Sequence, residues 1–204
     1  MKLTIIGASG HGKVVADIAG LCGYDEIEFL DDDANRKNCG RYPVIGMSSL
    51  VEETEGDIFV AIGNAAVRRQ ILERLNHKRI PVLIHPSAVV AEGIEMGRGS
   101  VVMAGGVINP GAVIGQGCIV NTGSAVDHDC VLGNYVHVSV GARLCGSVMV
   151  GDDSWIGAGA VVSNNVRLCS GCMIGAGAVV VRDIFESGTY VGVPARRIGK
   201  SSRV

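Results

Sequence analysis

The sequence predicts an α/β plus β protein, with a small parallel α/β domain over residues 1–80 and a coil of short strands over 81–204. Three observations predict it. Strand-like and helix-like stretches alternate through the first 80 residues. An aliphatic side chain then recurs at every sixth position. Glycine supplies 30 of 204 residues while aromatics make up only 4%. With 48% hydrophobic residues the chain has ample apolar surface to bury, which excludes disorder. So much glycine and so few large side chains argue against a helical bundle.

In the first part, KLTIIG is a strand running into the glycine-rich loop GASGHG at residues 7–12, and KVVADIAGLCG follows with a helical pattern. EIEFLDDD and DIFVAIGN are further strands. AAVRRQILERLNH is a charged amphipathic helix, and IPVLIHP leads into the second part. This alternation predicts a small parallel sheet of the doubly wound, Rossmann-like type, with its ligand at the carboxyl ends of the strands.

Ser9, Gly10 and His11 lie in the loop where such a ligand would sit, at a helix N-terminus that offers free N–H groups to an anion. The spacing is GxxGxG rather than the GxGxxG of dinucleotide folds, so a nicotinamide cofactor is not implied. Asp31 and Asp32 end the second strand, where an acid can accept from ribose hydroxyls, and Gly63 with Asn64 ends the third. About 80 residues suit a mononucleotide or sugar nucleotide better than a dinucleotide.

From Ile84 to Val180 every sixth residue is aliphatic, without insertion. Two positions before it the residue is mostly small or compact, Cys118, Cys130 and Cys172 among them, and three positions after it glycine recurs. A period of six fits no helix. It fits a short strand and a tight corner, stacked so that neighbouring coils satisfy one another's backbone. The three cysteines then face inward as small hydrophobes.

His128 breaks this pattern. It stands in a corner phase of mostly small residues, and Asp129 follows where glycine is usual. A carboxylate beside an imidazole fixes its tautomer and raises its basicity, as a general base requires. Gly146 falls 18 residues after His128, one coil on, and Ala158 and Ala176 form a column of small residues at another corner. His137 precedes aliphatic Val138. Histidine-bound zinc needs three converging ligands, and His128 and His137, nine residues apart, fall on adjacent faces, so no metal is expected.

The hexad repeat resembles that of the hexapeptide acyltransferases, whose left-handed parallel β-helix is a three-sided prism with three hexads per coil. With GASGHG, FLDD, AIGN, LIHPSA, IVNTGSAVDHDC, HVSVGA and YVGVPAR added, nearly the whole chain resembles the PglD-like sugar-nucleotide acetyltransferases, which have sialic acid O-acetyltransferases as near relatives. The resemblance implies transfer of acetyl from acetyl-CoA to the 4-amino group of a UDP-4-amino-4,6-dideoxy sugar, without an acyl-enzyme. It implies His128 as base, Asp129 as its tuning acid and the Gly146 N–H at the thioester oxygen. It also implies sugar-nucleotide contacts at Ser9, Gly10, His11, Asp31, Asp32 and Gly63, and acetyl-CoA contacts at His137, Ala158 and Ala176. A homotrimer with active sites between prisms follows from the same likeness. The rival readings are O-acetylation of sialic acid or another sugar, and a non-catalytic sugar-nucleotide-binding trimer.

A net charge of −2 gives no electrostatic case for nucleic acid or an anionic membrane. No signal pattern or spanning apolar stretch is read in the sequence. Together with an odd number of cysteines, seven, this predicts a reduced, cytoplasmic setting.

Overall fold

The computed structural model describes residues 1–75 and 78–199, and its contacts divide the chain into two compact units, Met1–Pro86 and Ser87–Val204. In the first, β1 (Lys2–Ile6), α1 (Gly10–Leu21), β2 (Glu26–Leu30), β3 (Asn38–Cys39), β4 (Tyr42–Gly46), β5 (Asp57–Val60), α2 (Ala65–Arg74) and β6 (Leu83–Ile84) follow in order. The sheet runs β3-β4-β2-β1-β5, parallel except for β3. The chain leaves β1 to one side for β2 and returns on its other side as β5. The crevice of the doubly wound arrangement therefore opens at the carboxyl end of β1. Fully buried Leu3, Ile5, Phe29, Leu30 and Ile58 form the core of this sheet. The hairpin of β3 and β4 is an addition to the strands read from sequence. Asn76 and His77, at the end of the amphipathic segment read as helical, lie outside the described residues.

The second unit is a parallel β-helix. Strands of two or three residues pair in parallel with those 18 residues away, for instance Val107 with Ala125, Val113 with Val131 and Ile119 with His137. Three faces result. One is built on Val89, Val107, Ala125, Arg143, Val161 and Val179, a second on Glu95, Val113, Val131, Met149 and Arg167, and the third on Val101, Ile119, His137, Trp155 and Met173. In each two-residue strand from Val101 to Val180 the second residue, the hexad aliphatic, is buried in the core. The third face is extended by Gly188–Val191, parallel, and Arg196–Ile198, antiparallel.

The hexad aliphatics from Val102 to Val180 are at most 3% exposed and form one core with Cys118, Cys130 and Cys172. Earlier in the repeat the burial is looser, and Ile84 is exposed. The corner glycines take positive φ, such as +63° at Gly123 and +66° at Gly141. Asp129 takes the same conformation, φ 59°, without being glycine. Among the described residues no helix is long and apolar enough to cross a membrane.

Candidate active site

The loop after β1 is shaped by two close approaches. A Cβ on Gly7, whose φ is +104°, would press on the Ala61 carbonyl, and one on Gly12 would overlap the Gly7 carbonyl. Gly10 faces open space within 4 Å, so only there does the glycine leave room rather than relieve a clash. Ser9 is the N-cap residue of α1 but makes no side-chain cap, leaving its hydroxyl unspent. A cleft of about 320 Å³ is lined by Gly7, Ser9, Asp31, Asp32, Ser48 and Gly63 among others. Four of the sequence-predicted contacts, Ser9, Asp31, Asp32 and Gly63, thus line this cleft, and Gly10 is the next residue of the same loop.

The structure gives the two acids internal donors. Asp31 Oδ2 accepts the Ala8 N–H at 2.6 Å and Oδ1 that of Asp33 at 3.0 Å, while Asp32 accepts from the Ser48 N–H at 2.9 Å and hydroxyl at 3.0 Å. These carboxylates hold the loop as well as facing the cleft. Sequence reading missed Arg68. Its guanidinium is fully buried and donates to the carbonyls of Ile62 at 2.7 Å and Gly63 at 2.9 Å, fixing the turn after β5. Burial, with Arg68's positive charge second, pushes His11 down to about 4, so it is neutral at pH 7. Its Nε2 is buried and has no hydrogen-bond partner.

In the β-helix, His128, Asp129 and Gly146 come together at one corner. The Asp129 carboxylate accepts from His128 Nδ1 at 2.8 Å, which leaves the lone pair on Nε2 in the neutral ring. A Cβ on Gly146 would overlap that ring at Nε2 and Cε1, so Nε2 lies directly over the Gly146 backbone. The His128 ring is 58% exposed, open to a ligand. Its pKa is raised, first by the Asp129 hydrogen bond and then by the charge of Asp127, against a smaller cost of desolvation. Elsewhere a side-chain oxygen caps the corner amide, as Asn121 Oδ1 does for Thr122 and Asp127 Oδ1 for His128. Before Gly146 stands Cys145, which has no such oxygen to offer.

Asp129 should trade stability for activity. Asp129→Gly is expected to raise Tm by about 2 °C by relieving a left-handed aspartate, while turnover falls at least tenfold. Thermal melts and steady-state rates check both, and retained turnover contradicts the tuning role.

His137, Ala158 and Ala176 lie apart from this corner within one chain. Ala158 and Ala176 are exposed in the column that follows the third face, linked by the Gly177 N–H to the Ala158 carbonyl at 2.9 Å. His137 is on that third face, only 7% exposed, with its ring 4.3 Å from that of Trp155 and its Nε2 3.0 Å from Asn121 Nδ2. The first face, containing Arg143, lies between the two corner columns. Asn121 and Trp155 were not read from sequence. The available signal was an amide at 121, in a phase that often holds glycine, as at Gly115, Gly133 and Gly151. Among the described residues no group of three or more His, Cys, Asp or Glu side chains is arranged to hold a metal ion.

Short parallel strands at an 18-residue pitch, with a carboxylate-paired imidazole at a corner, define a hexapeptide-repeat bacterial transferase. Residues 147–182 match the family model of the bacterial transferase hexapeptide (six repeats), and residues 2–75 match that of the PglD N-terminal domain. The chain is similar to the acetyltransferase domain of PglB from Neisseria gonorrhoeae FA1090 in complex with acetyl coenzyme A. Identity is 46% and the TM-score 0.94, covering 97% of this chain and 98% of that one. It is similar to PerB from Caulobacter crescentus in complex with CoA and GDP-perosamine, at 38% identity and TM-score 0.91, over 98% of each chain. It is also 36% identical over 111 residues to the UDP-N-acetylbacillosamine N-acetyltransferase of Bacillus subtilis (strain 168). That alignment covers 50% of this chain and spans about half the length of the curated relative, 51%. The chain belongs to the PglD-like hexapeptide-repeat acetyltransferases.

Proposed function

We propose that this protein transfers acetyl from acetyl-CoA to the 4-amino group of a UDP-4-amino-4,6-dideoxy sugar, with His128 as general base. The observation that carries the reading is the orientation of His128. Asp129 occupies Nδ1, so the basic nitrogen is Nε2, which lies over the Gly146 backbone. The relatives that carry acetyl coenzyme A, or CoA with GDP-perosamine, support the donor and the sugar-nucleotide class of acceptor. The uridine nucleotide is supported by the name of the Bacillus relative.

The neutral amine attacks the thioester carbonyl carbon and His128 Nε2 takes its proton as the C–N bond forms. Asp129 stabilises the imidazolium. The Gly146 N–H, aided by His137, offsets charge on the carbonyl oxygen. The C–S bond then breaks and the imidazolium returns the proton to the CoA thiolate. A covalent route through Cys130 is disfavoured, because burial pushes that thiol up and away from the thiolate form.

The sugar nucleotide binds the cleft formed by Ser9, Gly10, His11, Asp31, Asp32 and Gly63. Acetyl-CoA lies along His137, Ala158 and Ala176. Because His128 and these residues occupy different corners of one prism, the reading requires a homotrimer in which neighbouring prisms complete each site. It places the protein in the cytoplasm, a setting that suits seven free thiols. The test is CoA release with a panel of UDP- and GDP-4-amino sugars, neuraminic acid and simple amines. UDP-4-amino sugars are expected to give the highest kcat/KM. A preference for neuraminic acid hydroxyls, or no transfer to any nucleotide sugar, overturns the reading.

A further inference from the structure

The base at the corner is flanked by a second carboxylate that the hexad pattern does not explain. Asp127 precedes His128, and one of its oxygens serves two donors. Oδ1 accepts the His128 backbone N–H at 2.8 Å and the Asn109 Nδ2–H at 2.7 Å, with Asn109 one coil away. We propose that Asp127, held by Asn109, is a positioning residue for His128, clamping the backbone from which the imidazole projects and setting a fixed negative charge beside it.

The local geometry alone does not call for a charge. Six residues earlier the same phase holds Asn121, whose neutral Oδ1 accepts the Thr122 N–H at 2.8 Å. An amide therefore satisfies the corner. At the corner that bears His128 the amide is replaced by a carboxylate, and a neighbouring amide, Asn109, is spent on fixing it. Asn109 and the His128 N–H hold the Asp127 carboxyl below the usual carboxylate range, so it stays ionised through neutral pH. The charged groups acting on His128 are Asp129, at Nδ1, and Asp127. The two divide the work. Asp129 selects the tautomer, and Asp127 fixes the corner and adds to the field that favours the imidazolium as the proton arrives.

This inference rests on His128 being the base, and its test separates the two claims. The His128 Cε1–H resonance is titrated by NMR in the wild-type protein and in Asp127→Asn, which keeps the shape and the acceptor but removes the charge. The expected result is a titration displaced to lower pH in Asp127→Asn. The acid limb of kcat follows it, and the high-pH plateau falls about threefold because the weaker base takes the proton less readily, with KM within about twofold of wild type. Asp127→Ala and Asn109→Ala, which break the clamp, are expected to lower the plateau kcat about tenfold with KM within about twofold. Unchanged His128 titration in Asp127→Asn, or wild-type plateau rates in both alanine variants, overturns the proposal. Failure of the base assignment shows elsewhere, as wild-type turnover in His128→Ala, because the NMR titration reads the corner without turnover.

Discussion

Replacing His128 with alanine is expected to lower kcat by about 10²–10⁴-fold, the usual effect of removing a positioned general base. Binding of the UDP-sugar should stay close to wild type, because the nucleotide's contacts are assigned to the N-terminal unit rather than to this corner. The ring is exposed at the corner of the prism and carries no core packing, so the fold should persist. Isothermal calorimetry with the UDP-sugar and steady-state CoA release measure the two halves of this expectation. Near-wild-type turnover removes the base assignment. Lost nucleotide affinity would show instead that His128 holds the substrate.

The second large effect comes from adding a single methyl group. Gly146→Ala places a Cβ where the His128 Nε2 edge now rests. The neighbour that must yield is the far end of a side chain, so the coil can keep its backbone while the imidazole swings off Asp129. A misplacement of about 1 Å at a reacting group can cost around 100-fold, and a kcat loss of that order is expected. The N–H of residue 146 remains in the variant, so this loss reads the histidine's position and not the oxyanion contact. In a His128→Ala background the three atoms nearest the added methyl are gone, and it should cost little further. An equal loss in both backgrounds contradicts the steric account.

Much of the β-helix was legible because one residue per hexad must be aliphatic to fill the prism, and one per corner must tolerate positive φ. Cys118, Cys130 and Cys172 fell in the inward phase and are buried there. His128 with Asp129 was visible as a break in that rule, and the structure brings the two side chains into contact. What sequence could not give was the pairing of polar groups between coils. Asn109 and Asp127 are 18 residues apart, so the coil spacing stacks them, but which donor meets which acceptor depends on side-chain rotamers. The contact of Asn121 with His137, 16 apart, depends on them too.

In the N-terminal unit the alternation of strand and helix yielded the parallel sheet and the place of its crevice. The β3–β4 hairpin escaped because Pro43 is a poor strand residue and β3 has only two residues. Asp31 and Asp32 were found at the right strand end, but their bonds to Ala8 and Ser48 depend on how the loops fold back. Arg68 escaped because an arginine on a charged helix is ordinarily solvated. Here the carbonyls of Ile62 and Gly63 draw it inside.

The most direct measurement is a crystal structure of the wild-type protein with CoA and an unreacted UDP-4-amino sugar, a complex that cannot turn over. The account predicts the sugar's amine nitrogen within about 2.6–3.2 Å of His128 Nε2, or joined to it through one water. It also predicts the CoA sulfur in the same slot, formed with a neighbouring prism. An amine seated away from His128, or a CoA thiol bound at a corner that His128 cannot reach, contradicts it.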